Sequence, residues 1–243
     1  MNKEALQYIV GLSGIHTIEY EGEKYSSSQL HRVPKEMDGP DPIEVSTLSG
    51  FMDYVAKNDD RYGRRMYIQI VSPTEVRLVS ALNMDNQRDT YIKAKAVLPS
   101  QNFGSPLDQE RFLIWLRTGF VPTEKRDAIV EFCGCVTGND VVNLQDDGIS
   151  QKVSISTYVG TQDAIAPTDP VLAPFRTFID IEQPESPFVF RTQKYGDGIG
   201  FVLYEADGGA WKTDAMNNIL EYIRKYMDNH ADAFKPYEIV VIC

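Results

Sequence analysis

This sequence is poor in the residues that most often do chemistry. It holds three cysteines and three histidines in 243 residues. Cys133 and Cys135 form "CGC", one residue too tight for a CxxC redox pair, and Cys243 is a lone third. No histidine lies near them in sequence to complete a zinc set. The thiols therefore read as buried or incidental groups in a reducing compartment. His16, His31 and His230 stand beside no serine, cysteine or paired acid in a catalytic pattern, and there is no HExxH. Positive charge is also short. Lysine and arginine number 24 against 35 acids, for a net charge of -11. That disfavours binding to a phosphate backbone or to an anionic membrane surface. The one basic run, "RYGRR" at 61–65, reads as a solvated loop before a strand. The acids are interspersed with bases rather than blocked, which argues against imitation of DNA charge. No apolar run approaches the roughly 20 residues of a membrane-spanning helix. The opening "MNKEALQYIV" is too short and too polar for a secretory signal, so the expected location is the cytoplasm of the host cell.

What is present suits a packed globular protein. The chain is 42% hydrophobic and 11% aromatic. At this length it can bury about 70% of the surface it exposes when unfolded, with no need of disulfides or metal. Residues 1–42 read as an extended N-terminal arm, polar and rich in turn residues. "VSTLSGFMDYVAKN" spaces Val45, Leu48, Phe51, Met52 and Val55 for a helix capped by Ser46 or Thr47. "RMYIQIVSP" and "EVRLVSALN" alternate apolar and polar residues and predict a hairpin turning at Ser72-Pro73-Thr74. "TYIKAKAVLP" continues as a third strand. A helix is expected from Ser105 as cap, with Pro106 in its first turn, and another from Thr123. After a break between subdomains, if there is one, at 137–145, the chain turns to strands. Pro167, Pro170, Pro174, Pro184 and Pro187 cut one stretch into short extended pieces. "PFVFRTQKYGDGIGFVLYE" predicts a second hairpin, "WKTDAMNNILEYIRKYMDNH" a long helix, and "YEIVVIC" a closing strand. Hairpins outnumber strand-helix-strand units. The expected fold is α+β: mainly antiparallel sheet, about four helices, and one body over 43–243.

Few places remain for chemistry. "GDGIG" (196–200) is not GxGxxG and leads into a strand, so it reads as a turn rather than a phosphate cradle. "EADGGAW" joins a strand to a helix, and Gly208 and Gly209 free the backbone to turn there. Glu205 and Asp207 have two readings. Either they favour the positive end of the helix that begins near Trp211, or they join Asp146 and Asp147 around a divalent cation such as Mg²⁺ or Mn²⁺. "RTFIDIEQPESPFVFR" sets Arg176, Glu182 and Arg191 among apolar residues. A buried arginine–carboxylate pair would organise the sheet or an interface there; a phosphate-gripping arginine is the alternative.

Three stretches, "QDDGISQKVSISTYVG", "APFRTFIDIEQPESPFVFR" and "LYEADGGAWKTDAMNNILEYI", occur in that order. Together they resemble the YfdQ-like family of phage and prophage proteins. "STLSGFMDYV" and "VRLVSAL" are similar to that family's first half, so the likeness runs from about residue 44. The resemblance implies a phage-encoded accessory protein, often encoded near replication and recombination genes. It carries over no catalytic residue. The leading expectation is a protein that works by self-assembly or by binding a phage or host protein. It is expected to need no cofactor, membrane or direct nucleic-acid contact. A divalent-metal enzyme of nucleic-acid or nucleotide metabolism, a capsid-like ring or shell, and an acidic inhibitor of a host protein stay open beside it.

Overall fold

The computed structural model describes residues 17–26, 41–58, 60, 63, 65–84, 86–136, 141–146, 151–157, 160–196 and 198–243, with the backbone alone at 17–18, 25–26, 141–146, 151–157 and 160–164. The chain divides into two units, one of 1–40 with 81–89 and one of 41–80 with 90–243.

In the smaller unit, β1 (Thr17–Tyr20) and β2 (Glu23–Ser26) form an antiparallel hairpin. Its two turn residues, Glu21 and Gly22, both have positive φ (52° and 80°), the geometry that matches the twist of a tight hairpin. The arm anticipated over 1–42 thus contains paired strands.

The larger unit begins with β3 (Ile43–Val45) and α1 (Leu48–Lys57), whose first turn Thr47 caps by accepting from the Gly50 amide. Next come β4 (Arg65–Ser72), β5 (Glu75–Ser80) and β6 (Thr90–Lys95), paired antiparallel in sequence order. Then follow α2 (Gln109–Gly119) and α3 (Glu124–Cys135), β7 (Val141–Asp146), β8 (Gln151–Thr157) and β9 (Gly160–Ile165), and the two-residue β10 (Val171–Leu172). The long hairpin β11 (Ser186–Tyr195) and β12 (Gly198–Glu205) leads to α4 (Trp211–Asn229), the short α5 (Ala231–Phe234) and β13 (Glu238–Ile242). The fold is α+β. Its five-stranded sheet, ordered β13-β4-β5-β6-β3, is mixed: β13 lies parallel to β4 and β3 parallel to β6, while the inner pairs are antiparallel.

Two apolar cores follow from the patterning. In the first, alternate residues of β4, β5 and β6 (Met66, Ile68, Ile70, Val76, Leu78, Ile92, Ala94) meet Phe51, Met52 and Val55 of α1 and Ile219 and Ile223 of α4. In the second, Phe112, Trp115 and Leu116 of α2 and Phe132 of α3 pack on Phe188, Phe190, Phe201 and Leu203 of the long hairpin. The Phe190 and Phe201 rings stack, with centroids 6.3 Å apart.

The start of α2 departs from expectation. Ser105 does not cap it and Pro106 is not in its first turn. The cap is Asp108, which accepts from the Arg111 amide at 2.9 Å. The reason is competition for backbone groups. Gly104 donates to Leu203, and Leu107 exchanges both of its bonds with Phe201, so the segment runs extended along β12 until Leu107. Its close approach needs Gly200, where an added Cβ would stand 2.7 Å from the Tyr195 Cβ and 3.2 Å from the Pro106 Cβ.

Candidate functional site

The proline-broken stretch from Ala173 to Ser186 is a strap touching both cores. Pro174 and Pro184 lie near its ends, the stretch between them forms neither helix nor strand, and its polar groups must therefore find partners elsewhere. Val121 donates to the Ala173 carbonyl and Phe175 to that of Gly119 at one end. Further on, the Thr177 hydroxyl donates to the Pro73 carbonyl at 2.6 Å, in the β4–β5 turn. Asp180 accepts from the Leu48 amide at 2.7 Å and from the Ser49 hydroxyl at 3.0 Å. It therefore adds a second cap to α1 from 132 residues away. The buried Gln183 side chain accepts from the Arg176 and Thr177 amides and donates to the carbonyls of Phe178 and Ile181. Glu182 is exposed, and its carbonyl accepts from the Asn218 side chain of α4.

Arg176 lies at the centre of the strap, with its side chain only 4% exposed. One guanidinium nitrogen donates to Glu205 Oε1 at 2.7 Å and another to the Ser186 hydroxyl. The guanidinium carbon sits 4.2 Å from the centroid of the Trp211 ring and 5.6 Å from that of Phe188. Burial pulls the Arg176 pKa below its ordinary value, while Glu205 and Asp207 hold it up. With acid, hydroxyl and two aromatic faces around it, the cation is held where water is excluded. Its Nε has no hydrogen-bond partner among the described residues.

The acids of "EADGGAW" divide the work. Glu205 ends β12 and answers Arg176. Asp207 accepts from the Gly209 amide at 3.0 Å and the Trp211 amide at 3.1 Å, which caps α4. Gly208 and Gly209 have φ of +61° and +87°, the left-handed turn that glycine adopts without strain. The same turn carries Trp211 over Arg176. The pair anticipated near Arg176 is thus present, and its acid comes from 29 residues downstream rather than from the arginine's own segment. Both guanidinium nitrogens that could grip a phosphate are engaged within the protein. Arg191, on β11, donates to the Phe190 carbonyl. Of the other acids named for a metal, Asp147 and the Asp146 side chain lie outside the described residues. Among the described residues no three of His, Cys, Asp and Glu gather closely enough to hold a metal ion. Cys133 is buried, which pushes its thiol pKa up and leaves it protonated; Cys135 and Cys243 are exposed.

A second feature is an uncovered sheet edge. The edge of β12 is occupied by the 104–107 segment, and β3 is only three residues long. β13 is longer, and its side away from β4 carries no strand among the described residues. Its sequence, "EIVVI", has one charge and no proline, with Val240 37% and Ile242 45% exposed. Glu238, exposed, pairs loosely with Arg65 of β4 at 3.5 Å. Among the described residues no helix is long and apolar enough to cross a membrane. Compared with protein-family models, with curated proteins and with solved structures, the chain matches none.

Proposed function

We propose that this protein works by binding rather than by catalysis, and that it assembles with a second copy of itself through the outer edge of β13. The unblunted edge carries the reading. Exposed edges are normally defended with lysine, proline, a bulge or a covering segment, and among the described residues β13 has none of these. Antiparallel self-pairing centred on Val240 sets Glu238 opposite the partner's Ile242 and joins two five-stranded sheets into one, with no like charges facing. Such a contact is weak by itself. Main-chain bonds contribute about 1 kcal/mol each and barely offset an association cost of at least about 4 kcal/mol, so burial of Val240 and Ile242 from both copies must supply the rest and the dimer forms in the high-micromolar range or above. The resemblance to YfdQ-like proteins would set this assembly in the cytoplasm of a phage-infected or lysogenic bacterium, as an accessory to replication or recombination.

Light scattering or sedimentation from about 1 to about 200 µM tests the proposal by mass action. The expected result is a concentration-dependent dimer that Ile242→Lys or Val240→Lys returns to monomer. A ring or shell would show as larger species. A strictly monomeric protein across that range, or an oligomer indifferent to both lysines, refutes the edge.

A further inference from the structure

The outer side of the strap offers a different surface. A cleft of about 270 Å³ opens beside it, lined by Val121, Phe175 and Ile179 among others. Ile179 is 77% exposed, an unusual position for isoleucine between the buried Phe178 and the half-buried Asp180 and Ile181. This cleft shares Ile181 and Glu182 with a second, of about 250 Å³, between the strap and α4. The second shares Glu221 and Lys225 with a third, of about 660 Å³, along the exposed face of α4. Through these shared residues the three adjoin as one shallow groove, with an apolar floor in the first cleft and mainly polar and charged side chains in the other two.

Its rim is acidic. Glu182, Glu185, Glu221 and Asp228 line it, against Arg224 and Lys225. Among the described residues, none of these four carboxylates has an ion-pair or hydrogen-bond partner for its side chain. That includes Glu221, whose neighbours Arg224 and Lys225 stand at the helical spacings where pairing is easiest. Glu182 and Glu185 flank the apolar first cleft with no cation in its lining, and on a protein of net charge -11 they complement a ligand that is apolar and cationic together.

We propose that this groove docks a segment of another protein in which apolar side chains alternate with lysine or arginine. Ile179 and Phe175 receive an apolar anchor, and Glu182 and Glu185 take the flanking cations. The acids set the choice of partner and the speed of encounter, and the apolar floor supplies the hold. The site is separate from the β13 edge and does not depend on it.

Fluorescence anisotropy with a labelled synthetic peptide of alternating leucine and lysine tests this. A leucine–glutamate peptide of equal length is the control. The lysine peptide should bind, and more weakly as salt rises. Ile179→Lys and the double variant Glu182→Lys/Glu185→Lys should each weaken it by roughly tenfold or more. All these positions are exposed, so folding is preserved, and near-ultraviolet circular dichroism checks it. The charge-matched pair Glu110→Lys/Glu131→Lys, outside the groove, should leave affinity within about twofold. The proposal is overturned if the glutamate peptide binds equally, or if the charge-matched pair weakens binding as much as the groove pair. It is also overturned if the groove variants lose self-association in sedimentation, which would make the occupant a second copy.

Discussion

Removing Glu205 should harm this protein more than removing Arg176, although the two form one pair. The difference lies in their surroundings. The Arg176 side chain is 4% exposed and that of Glu205 is 40% exposed. In Arg176→Met the acid returns to water, while methionine refills the space against Trp211 and Phe188. The loss is the charge-assisted bonds and the stacking, offset by relief from burying a cation, for a net cost of about 1–3 kcal/mol. In Glu205→Gln the guanidinium stays buried and charged, with an amide in place of its counter-ion and Asp207 as its nearest acid. An uncompensated buried charge costs about 3–5 kcal/mol, and the retained acceptor brings this to roughly 2–4 kcal/mol. The double variant should resemble Arg176→Met alone, giving a coupling energy equal to the cost of Glu205→Gln, about 2–4 kcal/mol. Urea unfolding of the four proteins measures it. Far-ultraviolet circular dichroism is the main probe, because Trp211 fluorescence changes with the site itself. Additive effects within about 0.5 kcal/mol would refute the pairing, as would a harmless Glu205→Gln beside a damaging Arg176→Met.

Other consequences follow from the same region. Gly209→Val places a β-branched residue at φ +87° and should cost about 2 kcal/mol or more, seen as a fall of several degrees in melting temperature. Asp207→Asn keeps one of the two accepting oxygens but sets an NH2 against the other amide, and should cost about 1 kcal/mol, less than Gly209→Val; equal melting of Gly209→Val and the parent would overturn the turn assignment. Asp180→Ala removes the distant cap of α1 and should cost about 1–2 kcal/mol in urea unfolding, with no loss meaning that Thr47 caps that helix unaided. Burial and the bond to Asp53 raise the Tyr226 pKa to about 12 from its ordinary 10. The stability this tyrosine contributes is therefore full below about pH 10 and lost between about pH 10 and 12, as the unfolded chain ionises first. Tyr222, raised by burial and then by Asp180 and Asp53, titrates in the same direction. Tyr226→Phe should flatten this alkaline decline in urea midpoints, and parallel declines would exclude Tyr226 as its source.

Much of the fold was legible because its causes are local. The spacing of Leu48, Phe51, Met52 and Val55 makes one helical face, and Thr47 caps it within three residues. The turns at Pro73 and Gly196 and the long helix from Trp211 are likewise read from neighbours in sequence. The first turn of α2 was misread because Ser105-Pro106 is a good local start signal. It loses to the ladder that Leu107 forms with Phe201, 94 residues on. The two tight left-handed residues at Glu21-Gly22 carry a hairpin signal that a polar, turn-rich arm concealed.

The candidate site divides along the same line. The sequence by itself determined an acidic α+β protein, poor in catalytic residue types, with Glu205, Asp207 and two glycines placed at a strand-to-helix turn. It also marked Arg176 as a charge among apolar residues. Only the tertiary structure decided that Arg176 and Glu205 are partners, that Asp180 caps a helix 132 residues away, and that β13 joins β4 in parallel with no strand on its other side among the described residues. Capping and turn geometry act within a few bonds along the backbone, so sequence carries them. Pairing between distant residues is settled by which packing of the two cores buries the most apolar surface, and polar groups take the partners that this packing brings to them.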